Sequence, residues 1–198
     1  MLVTINPRAL KACALAASTE KGRYYLQGVS LEMAPTHNIM VATNGHILIA
    51  AKRASAVNTV PAAPEGTPPI IIPSTMIAQI KLTRRSLDTG ELTIEGDRLT
   101  LEYDAGTLVG KAVDGTFPDW RRIVPASVSG EVGHYNPAYL ALLGKAYALL
   151  TDSDCKWLTI GHNGEACALV DLGEDAIGAI MPCRSPPPPT KFPGWING

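Results

Sequence analysis

The sequence predicts an α+β fold built from one unit used three times: a short strand, a helix and three further strands, with the helices on one face of antiparallel sheets. Two observations carry this. Asn-Pro opens a helical pattern twice, at Asn6-Pro7 and Asn136-Pro137, and after each the apolar residues fall at i, i+3, i+4 and i+7. Each helical stretch is then followed by three apolar-rich segments divided by turn residues, so that a unit takes about sixty residues.

In the first unit Asn6 is a natural N-cap, Pro7 suits the first helical position, and Leu10, Cys13, Ala14 and Ala17 share a face. Strands are expected at 24–33, 38–43 and 46–52. The second unit opens on Ile70-Ile71-Ile72-Pro73-Ser74 and enters a helix through Met76, Ile77 and Ile80. Strands follow at 91–95, 98–104 and 107–113. Leu99, Leu101 and Tyr103 alternate with Arg98, Thr100, Glu102 and Asp104, as on a half-buried strand, and Glu95-Gly96-Asp97 reads as a tight hairpin. The third unit places Tyr139, Leu142, Leu143 and Ala146 on its helix. Its strands are expected at 157–160, 165–171 and 176–183, with His162-Asn163-Gly164 as a turn. The linkers are 54–69, rich in Ala, Pro, Thr and Gly, and 125–130. Four prolines at 186–189 end the fold, and the tail that follows, with Phe192 and Trp195, is read as loose.

Lys+Arg 17 against Asp+Glu 18 rules out a uniformly basic nucleic-acid binder, though not basic residues gathered on one surface. No apolar run reaches the roughly 18 residues of a membrane span, and Met1-Leu2-Val3-Thr4-Ile5 has no features of a secretory signal. Cys13, Cys155, Cys167 and Cys183 form no C-x-x-C pair, which fits reduced core thiols in cytoplasm. No nucleophile elbow, zinc-protease or phosphate-loop motif occurs, and His37, His46, His134 and His162 are isolated. Asp152-Ser153-Asp154 reads as a polar loop and Asp119 as a turn residue. A hydrolase working through Asp119 and His46 would lack a nucleophile and an oriented base. No cofactor, metal or catalytic residue is expected.

Three stretches carry a family resemblance. Arg23-Tyr24-Tyr25-Leu26-Gln27-Gly28-Val29 resembles the R-Y-Y-L-N-G stretch in the middle domain of the bacterial DNA polymerase III β subunit, the β sliding clamp. Val41-Ala42-Thr43-Asn44-Gly45-His46-Ile47-Leu48 resembles its A-T-D-G-H-R-L stretch. Gly115-Thr116-Phe117-Pro118-Asp119-Trp120-Arg121-Arg122-Ile123-Val124-Pro125 resembles its closing G-x-F-P-D-Y-R-R-V-x-P, and Ile180-Met181-Pro182-Cys183-Arg184 is similar to the family's terminal M-P-M-R. The resemblance implies a DNA clamp fold. Residues 1–125 would be a complete middle domain of two units, 1–60 and 61–125. Residues 126–185 would be the second half of the last domain, and 186–198 a Pro-rich tail. The family's first domain and half of its last are missing, a shortening that suits a phage or prophage version. Asn44, Ile47 and Cys183 depart from the motifs.

The resemblance further implies a peptide-binding pocket at Leu26, Thr43, Gly45, His46, Leu48, Pro118, Arg122, Ile123, Met181, Pro182, Cys183 and Arg184. Ile47 in place of the family's Arg makes its rim less basic. Helical faces offer Arg8, Lys11, Lys21, Lys81, Arg84, Arg85 and Lys145 to DNA, as phosphate contacts without sequence readout. The function implied is topological. A closed ring around duplex DNA tethers a polymerase or repair protein, a clamp loader opens it, and the protein is cytoplasmic and nucleoid-associated. A full clamp has twelve units, so four chains of three would complete one, as a homotetramer with dihedral symmetry. Helices about 10 Å apart give twelve of them a hole roughly 40 Å across, whereas six give about 20 Å, too tight for sliding. The unpaired third unit is expected to complete a domain with a unit of a neighbouring chain. The rival reading is a peptide-binding adaptor that never closes on DNA.

Overall fold

Asn6 and Pro7 start the first helix as their side chains dictate. Asn6 Oδ1 accepts the Ala9 amide at 2.9 Å, Pro7 takes the first helical position, and α1 runs Pro7–Ala14. The computed structural model describes residues 1–34, 36–54, 66–83, 86, 88–151 and 157–184. Ahead of α1 lies β1 (Leu2–Ile5); after it come a 3-10 segment (Lys21–Leu26), β2 (Gly28–Met33), β3 (His37–Thr43) and β4 (Ile47–Ala54). The second unit holds β5 (Ile70–Pro73), α2 (Ser74–Ile77), β6 (Gly90–Glu95), β7 (Arg98–Tyr103) and β8 (Gly106–Lys111). After a second 3-10 turn (Trp120–Ile123), the third unit holds α3 (Pro137–Thr151), β9 (Ile160–Gly161), β10 (Ala168–Asp171) and β11 (Ala176–Ile180).

Two antiparallel sheets result, one ordered β1-β6-β7-β8 and one ordered β5-β2-β3-β4-β11-β10-β9. The first two units exchange their opening strands. β1 pairs with β6, Val3 opposite Leu92, while β5 pairs with β2, Ile72 opposite Val29. The third unit joins through its last strand, with β11 on β4, Ile49 opposite Gly178. One face of the seven-stranded sheet carries α1 and α3, which also pack on each other. Leu10, Cys13, Leu31, Met40, Ile47, Ile49, Leu143 and Ala146 make the core there. Each such side chain stabilises the fold by roughly 1.5–3 kcal/mol on burial, less for alanine. On the other face Val41, Leu48, Ala50 and Ala179 form a smaller core, capped by Phe117 and Trp120.

Several expectations need correction. Tyr24, Tyr25 and Leu26 lie in the 3-10 segment, and β2 begins only at Gly28. The second helix is a single turn, ending at Ile77. The chain beyond it is held by α1, whose Lys11 Nζ donates to the Ile80 carbonyl and whose Arg8 donates to the Thr83 carbonyl at 2.9 Å. Lys81 is therefore in a loop, and Arg84 and Arg85, expected on one helical face with it, lie outside the described residues. In the third unit no strand precedes α3, since residues 126–136 run as a loop. The strand expected at 157–160 is only Ile160–Gly161, and Trp157 is 75% exposed. The loop 152–154, Cys155, most of the first linker and the tail beyond Arg184 also fall outside the described residues. Among the described residues no helix is long and apolar enough to cross a membrane.

Candidate functional site

The turn between β3 and β4 is built by its own side chains. Asn44 Oδ1 accepts the amides of His46 and Ile47 at 2.9 and 3.0 Å, the bonds an aspartate would accept there, so the departure from the motif keeps the turn. Gly45 adopts φ +89°, which disfavours any side chain, and its amide donates to Thr43 Oγ1 at 3.1 Å. Thr43 Oγ1 in turn donates to the Ile47 carbonyl at 2.7 Å. The turn is then fixed to the third unit. The Met181 amide donates to the His46 carbonyl at 2.8 Å, and the His46 ring stacks on Tyr139 of α3, centroids 5.4 Å apart.

Beside this turn opens a cleft of about 270 Å³. Of the residues expected in the pocket, Leu26, Thr43, Gly45, His46, Leu48, Pro118, Ile123 and Met181 line it. Arg122, Pro182, Cys183 and Arg184 do not. Arg122 and Arg184 are exposed on the described surface, and the Cys183 amide turns away to donate to the His134 carbonyl at 2.7 Å. Ile47, Asp119, Trp120, Cys167 and Ala179 complete the lining. Trp120 is held in place from outside: its Nε1 donates to Glu32 Oε1 at 2.7 Å, and Arg121 caps its ring at 4.5 Å while bonding both Glu32 oxygens. Burial pushes the Glu32 carboxyl up, but the bonds from Arg121 and Trp120 outweigh this and hold it below its usual range.

The lining residues offer little to react with. Thr43 spends its hydroxyl inside the turn. Burial raises the Cys167 thiol, so it stays protonated. His46 stacks on a tyrosine ring. Trp120 also borders a larger, wide-open hollow of about 710 Å³ on the outer strand face, with Ile39, Ala50 and Ile177 as its floor. The smaller cleft is the better-formed site, with apolar walls and a few polar rim groups.

The model of the DNA polymerase III beta subunit, central domain, matches residues 5–119. The chain belongs to this family. A beta sliding clamp of Caulobacter vibrioides is 32% identical over 123 residues, covering 60% of this chain and 32% of that one. Its fold is that of DNA polymerase III beta chains: one from Streptococcus pneumoniae superposes with a TM-score of 0.72 at 17% identity, over 93% of this chain and 65% of that one. The sliding clamp of Bartonella birtlesii, solved bound to griselimycin, gives 0.67 at 19% identity over 93% and 66%. The chain thus spans about a third of the curated relative and just under two thirds of these structures. The central-domain match ends at residue 119, whereas Ala179 and Met181, on the cleft's far wall, come from beyond it.

The basic residues divide. Arg8 is pinned by Asp88 at 3.1 Å with its side chain 14% exposed, and Lys11 is tied to Ile80. Lys21, Lys81 and Lys145 are exposed. Sheet alternation could have found two of the missed cleft residues. Ala179 stands two residues from Met181, and Cys167 immediately precedes β10.

Proposed function

We propose that this chain is a non-catalytic sliding clamp, encircling duplex DNA and tethering a polymerase or other replication or repair protein through the cleft beside the β3–β4 turn. The observation that carries it is the cleft itself. Residues from 26–48, 118–123 and 179–181, distant in sequence, converge on one apolar hollow. Residues 1–125 then act as the complete domain and 126–185 as half of one. Arg8 and Lys11 give α1 its positive charge while bracing the loop behind it, and Lys21, Lys81, Arg84, Arg85 and Lys145 supply phosphate contacts. Four chains close the ring with a loader's help, in the cytoplasm at the nucleoid.

Retention on DNA tests this. Protein loaded on a nicked circular plasmid should stay bound in high salt and fall off when the circle is cut once. Equal loss from circle and linear form would overturn encirclement. A second reading has one observation in its favour: Arg8 and Lys11 are spent on internal bonds, which thins the basic helix face. It is a peptide-binding adaptor that never encloses DNA, and it predicts peptide binding without circle-dependent retention.

A further inference from the structure

We infer that the third unit completes itself on a second copy of this chain by exchanging residues 132–135. The inference rests on the self-associating part of the reading above. In the first two units the opening strand never serves its own sheet: β1 crosses to β6 and β5 crosses to β2. The third unit lacks the matching exchange. Its edge strand β9 pairs only with β10 among the described residues, and its opening segment forms no strand.

The segment's register is set by the helix it precedes. Asn136 Oδ1 accepts the Ala138 amide at 2.9 Å, and the Leu140 amide donates to the Asn136 carbonyl, as Leu10 does to Asn6. Val132, Gly133, His134 and Tyr135 therefore stand where Leu2, Val3, Thr4 and Ile5 stand. On the acceptor side, Ile160 faces the buried Val170 as Leu92 faces the buried Leu101. Since Thr4 pairs with Glu91 and Val3 with Leu92, His134 falls opposite Thr159 of the second copy and Gly133 opposite Ile160.

Exposure points to the same place. Val132 is 70% and Trp157 75% exposed, and both flank this incomplete sheet. In the single chain the segment bends back on its own turn, the Gly130 amide donating to the His162 carbonyl at 2.9 Å and the Gly164 amide to the Glu131 carbonyl at 2.8 Å. Within the exchanged stretch the Gly133 amide reaches His162 Nδ1 at 3.5 Å and the Tyr135 hydroxyl lies 3.2 Å from the same nitrogen, contacts that the exchange replaces. The His134 carbonyl accepts from Cys183 of its own unit, much as the Thr4 carbonyl accepts Asn38 Nδ2 while β1 is paired with β6. On the other strand edge the Gly133 amide gives up its long bond to His162 for the partner strand. Each copy gives one strand and accepts one, so the contact is two-fold and closes on itself. It buries two open edges of the kind soluble proteins avoid.

The test uses the full chain carrying His134→Cys with Thr159→Cys, and Cys183→Ser to remove the neighbouring thiol, under mild oxidation at micromolar concentration. A covalent dimer should appear on a non-reducing gel, absent from either single variant. In parallel, Ile160→Pro, which removes the outward-facing amide of β9 while the Thr159 carbonyl still accepts from Asp171, should halve the solution mass and leave cleft peptide binding intact. Absence of the double-variant dimer, or an unchanged mass for Ile160→Pro, overturns the exchange. Peptide titration of the same proteins reads the cleft separately, so loss of binding there would count against the clamp reading alone.

Discussion

Met181→Asp isolates the cleft from everything else the chain does. Met181 follows β11 directly, and its backbone amide, which the substitution leaves in place, ties the strand end to His46 at 2.8 Å. The side chain is 37% exposed in a hollow shared with Leu26, Leu48, Ile123 and Ala179. A peptide carrying Gln followed by Leu and Phe would bury two apolar anchors, each worth roughly 1.5–3 kcal/mol. Together these supply much of the roughly 8 kcal/mol that a micromolar Kd represents. An aspartate on that wall must be desolvated whenever an anchor docks, at about 2–3 kcal/mol even with partial relaxation. That weakens binding roughly 30- to 150-fold. Fluorescence anisotropy with a labelled peptide measures it, and an unchanged thermal transition shows that the fold stands. Arg122→Ala is the control: Arg122 is exposed and off the cleft, so its effect should stay within about twofold. A Met181→Asp protein that binds within about threefold of the parent would refute the assignment.

Three further outcomes follow. Glu32→Gln should destabilise the protein at neutral pH, because the native carboxyl is held below its usual range. That contribution is complete above the unfolded value near 4.3 and is lost as pH falls through the lower native value, so melting curves of the two proteins should converge in acid; a constant gap would refute it. Replacing Lys81, Arg84 and Arg85 by Glu should reduce the slope of log affinity for DNA against log salt by about 3, and an unaltered slope would remove them from the DNA surface. Leu143→Ala should cost about 2–5 kcal/mol in denaturant unfolding, since Leu143 is fully buried and its Cδ2 lies where a side chain on Gly178 would go.

What the sequence revealed was what local chemistry decides. The Asn-Pro caps announced α1 and α3, and Gly96-Asp97, with Glu95 opposite Arg98, announced the hairpin between β6 and β7. The length of α2 was hidden because the chain after Ile77 is held by Lys11 and Arg8, remote in sequence. The cleft was legible only in part. Ile47, Leu48, Ile49, Ala50 and Ala51 are all buried, Ile47, Ile49 and Ala51 in one core and Leu48 and Ala50 in the other, so the run gives no alternation to read. Ile47 therefore looked like a rim substitution when it is a core residue that also meets the cleft. Trp120 drew no notice because its role depends on Glu32, 88 positions away.

The crossed pairing of β1 has a consequence during synthesis. Leu2–Ile5 leaves the ribosome ahead of the rest of the first two units, yet its partner Gly90–Glu95 follows some ninety residues later. At about 5–20 residues per second the nascent chain waits several seconds with an apolar strand and no ladder to join. By contrast β2, β3 and β4 pair with one another in the order in which they emerge. Such late closure makes for high contact order and slow folding. A stalled ribosome holding a chain shorter than residue 95 displays a bare Leu-Val-Thr-Ile segment, the kind of sequence that chaperones meet first.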